Sequence, residues 1–174
     1  GSIVGEAFFY NEISGCSSTD MMVDAASASV GGIAGKVQTS SNVSACAVTG
    51  SIVGGAEVGG IAGYASAGCV FRDCRVDATI TADNNVGGIV GNADGTLTVN
   101  FTDVVNNGNI TGNQNYAAGI LAYVNGNYIT IANNPNLGEI TLTSTTTADK
   151  FTHTFFNNTT GAGSEACVNN YSIA

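Results

Sequence analysis

The chain has 174 residues, enough for one domain with a real core, and its 44% hydrophobic and 10% charged residues exclude a disordered chain. Four Lys plus Arg against thirteen Asp plus Glu give a net charge of −9, which excludes nucleic acid and anionic lipid surfaces as partners on electrostatic grounds. Twenty-four glycines, a single proline and apolar runs of only a few residues argue for short strands joined by tight turns and against a transmembrane helix in this stretch.

In chain order, the elements follow one repeated hexapeptide. A fragment of it, Ile3-Val4-Gly5, comes first; VGGIAG then occupies residues 30–35 and 58–63, VGGIVG residues 86–91, and AAGILA residues 117–122. The steps between full copies are 28, 28 and 31 residues, a period that marks a repeat architecture. With the isoleucine of each copy as a ruler, Ile3, Ile33, Ile61, Ile89 and Ile120 are equivalent. Thirteen residues further on stand Cys16, Cys46 and Cys74, and then Thr102 and Asn133. From each cysteine a strand is predicted: Cys46, Val48, Gly50 and Ile52 alternate with Ala47, Thr49 and Ser51, and Cys74, Val76, Ala78 and Ile80 alternate with Arg75, Asp77 and Thr79. Cys167 stands six residues before Ile173 as Cys46 stands before Ile52, so it is read as the same position of the last repeat. A third short strand lies between hexapeptide and cysteine, clearest in Leu97, Val99 and Phe101.

These features predict an all-β, single-domain fold over 1–174. Its form is a parallel β-helix of about five to six turns (1–29, 30–57, 58–85, 86–116, 117–150 and 151–174), with three short strands per turn. Equivalent residues then stack about 4.8 Å apart. The ladder Cys16, Cys46, Cys74 is read as reduced thiols filling the interior, because in-register side chains point the same way and are poorly aimed for a disulfide.

VGGIAG, a cysteine thirteen residues after its isoleucine and a following x-V-x-x-x-I resemble the GLUG repeat of bacterial surface proteins, which runs approximately VGGLVG, then NC, then GxV. The copies depart from it at Ala117-Ala118-Gly119-Ile120 and where Thr102 and Asn133 replace cysteine. The resemblance implies a β-helical segment of a secreted or surface-anchored, adhesin-like protein, and hence an extracellular or cell-surface location. Such repeats also flank some IgA-cleaving metallopeptidases. Nothing of that activity carries over, since His153 is the only histidine and no H-E-x-x-H motif exists.

No residues are assigned as catalytic, cofactor-binding or metal-binding. By the ruler, Asp73 and Asp77 fall opposite Ala45 and Thr49 one turn earlier and opposite Phe101 and Val105 one turn later, Asp83 opposite Gly55 and Asp94 opposite Ser66, so no acidic dyad forms across adjacent turns. Calcium is the one cofactor that Asp83-Asn84-Asn85 and Asn106-Asn107-Gly108-Asn109 would admit, although turn chemistry accounts for the same residues. The candidate binding surface is the column three residues after each ruler isoleucine: Glu6, Lys36, Tyr64, Asn92 and Tyr123. Aromatic and amide side chains there suit a protein or glycan partner at a cell surface.

The expected function is a non-enzymatic extracellular module serving adhesion, spacing or end-to-end, filament-like assembly. Self-association would run through solenoid-end strands marked by Ile3, Val4, Cys167, Tyr171 and Ile173. The alternative is a carbohydrate-binding or carbohydrate-active β-helix.

Overall fold

The computed structural model describes residues 1–26, 28–125 and 129–143, and, for backbone pairing, the strands at 151–153, 156–158, 165–168 and 171–172. Every described strand pairs in parallel with its equivalent one repeat away, and the described residues contain no helix. The chain is therefore a parallel β-solenoid.

One turn shows the logic of all of them. Ser29–Gly31, Ala34–Gln38, Asn42–Ser44 and Ala47–Gly54 are four successive strands, each belonging to a different sheet; in that order we name the sheets D, A, B and C. Sheets A and B each stack six strands and sheet D stacks five. The expected three strands per turn are thus four, because the hexapeptide contains a corner: its Val-Gly ends a strand of sheet D and its final Ala-Gly opens a strand of sheet A. The corner itself is hydrogen-bonded from turn to turn, Ile33 N–H donating to Ile61 O at 3.0 Å and Ile61 N–H to Ile89 O at 2.9 Å. The second glycine of each pair is required there. A Cβ on Gly60 would stand 2.2 Å from the Gly88 carbonyl oxygen, and one on Gly88 2.0 Å from that of Gly119.

The core is a set of ladders. Ile33, Ile61, Ile89 and Ile120 are fully buried, as are Val48 and Val76, and Ile52, Ile80 and Ile110. In sheet B the register runs Ile13, Val43, Phe71, Phe101, Ile131, and the Phe71 and Phe101 rings stack at 5.3 Å. Leu97, expected to join that strand, lies outside it and is exposed.

The register changes after the third turn. Ile61 matches Ile89, a step of 28, but Val70 matches Asn100, a step of 30, so two extra residues enter between Ile89 and Asn100. Two expectations are corrected by this. The cysteine ladder continues into Val104 and Asn134 rather than Thr102 and Asn133: Arg75 pairs with Val105, and the Asn134 Oδ1 accepts from Val104 N–H at 2.8 Å. Asp73 and Asp77 fall opposite Asp103 and Asn107 rather than Phe101 and Val105. A third correction concerns Cys167, which pairs with Ile131 in sheet B and so continues the phenylalanine ladder, not the cysteine one.

Sheet C is continuous in the early turns and splits in the later ones, where Val105–Asn106 and Ile110–Gly112 replace one long strand. The inward position held by Val48 and Val76 becomes Asn106 and Asn136 there. Buried amides need partners, and these find them in each other and in the bend they cause: Asn106 Nδ2 donates to Asn136 Oδ1 at 2.7 Å and to Gly108 O at 3.0 Å, while Asn136 Nδ2 donates to Gly138 O at 3.0 Å.

Candidate functional surface

The corner between sheets B and C places a left-handed residue in each turn: Gly15, Ala45, Asp73, Asp103 and Asn133 have φ of 63°, 51°, 53°, 54° and 59°. Asp and Asn tolerate this conformation better than most residues. Asp73 and Asp103 therefore do line up on adjacent turns, an alignment the sequence ruler missed through the two-residue insertion. Both are exposed, and Asp73 pairs with Arg72 at 3.7 Å. Beside this corner Asp77 accepts from Arg75 Nε and Asn107 Nδ2, each at 2.6 Å. Burial opposes ionisation of Asp77, but the hydrogen bonds from Arg75 and Asn107 outweigh it and hold the carboxyl below its ordinary value.

Cys16, Cys46 and Cys74 are free thiols in one file, and Cys69 is a fourth, buried elsewhere. Cys46 and Cys74 donate to the carbonyls of Ser44 and Arg72, each at 3.2 Å. Burial pushes the Cys74 thiol up to about 12 and raises Cys46 and Cys69 as well. These are protonated, unreactive fillers at neutral pH.

Of the residues considered for calcium, Asn106 is committed to the core amide ladder. Asp83 Oδ1 accepts from Asn113 Nδ2 at 3.1 Å, and Asn84 Oδ1 from Asn115 Nδ2 at 2.7 Å, bonds that link successive turns. Among the described residues no three His, Cys, Asp or Glu side chains are grouped to hold a metal ion. Asp24 and Asp83 line a cleft of about 200 Å³ with Val53, Gly54, Thr81 and Asn113, at the junction of sheets C and D.

Glu6, Lys36, Tyr64, Asn92 and Tyr123 occupy one file of sheet A, each the direct neighbour of the next. Glu6 and Lys36 are exposed and the other three half-buried. A second file, on sheet D, adjoins it: Ser29, Glu57, Asn85 and Tyr116. Glu57 joins the two, accepting from Ser29 Oγ at 2.6 Å and from Asn92 Nδ2 at 2.7 Å. The Tyr116 and Tyr123 rings meet at 5.2 Å, and the Lys36 ammonium stands 5.7 Å from the centre of the Tyr64 ring. Partial burial raises the Tyr64 phenol, and the carboxylates of Asp94 and Glu57 raise it further. The sheet D file was absent from the sequence reading, although its signal was present: its members are the residues immediately before each hexapeptide.

Of the expected end strands, Val4–Phe8 pairs on one side with Ala34–Gln38, and Ile3 is 48% exposed. Tyr171 pairs with Pro135. Ile173 lies outside the described residues.

Fold and surface together define a parallel β-solenoid whose interior repeats and whose outer files vary. Within it, the family model described as the GLUG motif matches residues 54–81, from the end of one sheet C strand through strands of sheets D, A and B and into the next sheet C strand. No curated protein and no solved structure matches the chain.

Proposed function

We propose that the chain is a non-enzymatic, extracellular β-helical module of a cell-surface or secreted protein, a rigid scaffold that spaces other parts of that protein and presents side chains for adhesion. The observation that carries this reading is the contrast within sheet A. Buried positions hold only Gly, Ala, Val or Leu from turn to turn, while the outward file runs acid, base, tyrosine, amide, tyrosine. A scaffold held by its inner ladders leaves the outer file free to be set by a partner. The GLUG similarity over one turn supports the surface location by analogy.

The test is made on cells producing the parent protein. Protease added outside intact cells should remove the solenoid, and the purified chain should compete with the cells for adhesion to their target surface. Complete protection from external protease would overturn the location, and absence of competition the adhesive role.

The cleft that Asp24 and Asp83 both line favours a second reading, a carbohydrate-active solenoid that uses these two carboxylates. That reading requires polysaccharide turnover that disappears in the Asp24→Asn, Asp83→Asn double variant.

A further inference from the structure

The surface where sheets A and D adjoin combines three features that select one kind of ligand. Its apolar area is aromatic, from Tyr64, Tyr116 and Tyr123, all half-buried. Its fixed charge is negative: Glu57 is held by Ser29 and Asn92, and Asp94 stands near enough to Tyr64 to raise that phenol. Its one cation, Lys36, already lies over the Tyr64 ring, which shows that this arrangement accepts an ammonium on an aromatic face. We propose that this tyrosine and carboxylate surface docks a basic protein segment, whose lysine or arginine side chains lie on the Tyr116–Tyr123 pair and against Glu57 and Asp94.

Charge complementarity decides the occupant. With only four Lys and Arg residues against thirteen acids, a second copy of this chain brings more negative charge to a negative surface. Acidic glycans and anionic lipids are repelled for the same reason. A neutral sugar would stack on the tyrosines but gain nothing from the two carboxylates. A cationic side chain uses both, and arginine does so best because its planar guanidinium stacks on a ring while its edge meets a carboxylate. Asn92 lies between Tyr64 and Tyr123 in the same file and donates its Nδ2 to Glu57, which fixes that carboxylate beside the rings.

This inference specifies the partner for the adhesive reading above, but it is tested on the purified chain and does not depend on location. Loss of the surface location would leave the binding result standing, and absence of binding would leave the location standing. The probe is a synthetic peptide of alternating arginine and serine, titrated by fluorescence anisotropy beside an alternating glutamate and serine peptide and a neutral β-linked oligosaccharide. Only the arginine peptide should bind, and binding should be lost in about 1 M salt, where screening shortens to about 3 Å. Tyr123→Ala and Glu57→Gln should each weaken it about tenfold, as central aromatic and charged contacts do. Asp103→Asn, the same loss of charge at the corner between sheets B and C, should leave it unchanged, and Lys36→Ala should tighten it by uncovering Tyr64. On the unsubstituted protein, bound peptide should protect Tyr123 from nitration, which keeps the test valid if a variant fails to fold. Equal weakening by Asp103→Asn and Glu57→Gln would reduce the effect to net charge and overturn the proposal. Binding of the oligosaccharide in place of the peptide would overturn it in favour of a sugar site.

Discussion

At the scale of single residues, the fold rests on close approaches that tolerate no added atom. Gly60 is the clearest: its missing Cβ leaves room for a backbone carbonyl of the next turn, and backbone in a hydrogen-bonded ladder cannot move aside as a side chain can. Gly60→Ala should destabilise the chain by about 3 kcal/mol, the upper part of the range for overpacking, measured by urea denaturation. Phe101→Ala should cost about 3–5 kcal/mol, since it opens a cavity beside the stacked Phe71 ring. The buried thiols give a pH prediction with a definite sign. Cys74 keeps its proton up to about 12 in the folded chain, while the unfolded chain releases it from about 9 upward. Its contribution to stability is therefore complete below the ordinary thiol value and falls away as pH rises from there towards 12. Urea midpoints should decline over this alkaline window, and Cys74→Ala should flatten the decline; an unchanged slope would assign it to other groups.

At the scale of elements, the split of sheet C turns on two amides. Asn106 and Asn136 bond to each other and to the glycines two residues on, so they both bend the strand and satisfy the bend. Asn106→Val should cost about 2–3 kcal/mol, because it leaves the Asn136 oxygen and the Gly108 backbone buried without partners. Replacing both amides by valine should cost less than twice that, since the pair then loses donor and acceptor together. A double-mutant cycle on unfolding free energies measures the difference, and strict additivity would mean that the two amides act separately.

At the scale of the whole molecule, each turn touches its neighbours above and below, so stability is close to a sum over turns and their interfaces. Removing residues 58–85, one full period, should join Glu57 to Val86 in a position its own strand already occupies in the ladder, and the shortened chain should fold. Its longest dimension in small-angle scattering should fall by about 4.8 Å. Removing only 58–71 should destroy folding, because every later residue would then face the wrong sheet.

The period, the parallel stacking and the identity of the buried ladders were legible in the sequence because each turn must bury equivalent positions over one another, so VGGI and the first three cysteines had to recur in step. What escaped was set by contacts between turns. The two residues inserted after Ile89 have no local signature of where they enter, and only the pairing of Val70 with Asn100 places them before sheet B. That single fact moved the cysteine file onto Val104 and aligned Asp73 with Asp103. The file of Glu6, Lys36, Tyr64, Asn92 and Tyr123 could be counted out along the chain, since neighbours within a file are one period apart. The joining of that file to Glu57 and Tyr116 could not, because the angle at which sheets D and A meet is decided by how closely the glycine corner packs, and that closeness exists only once the turns are stacked.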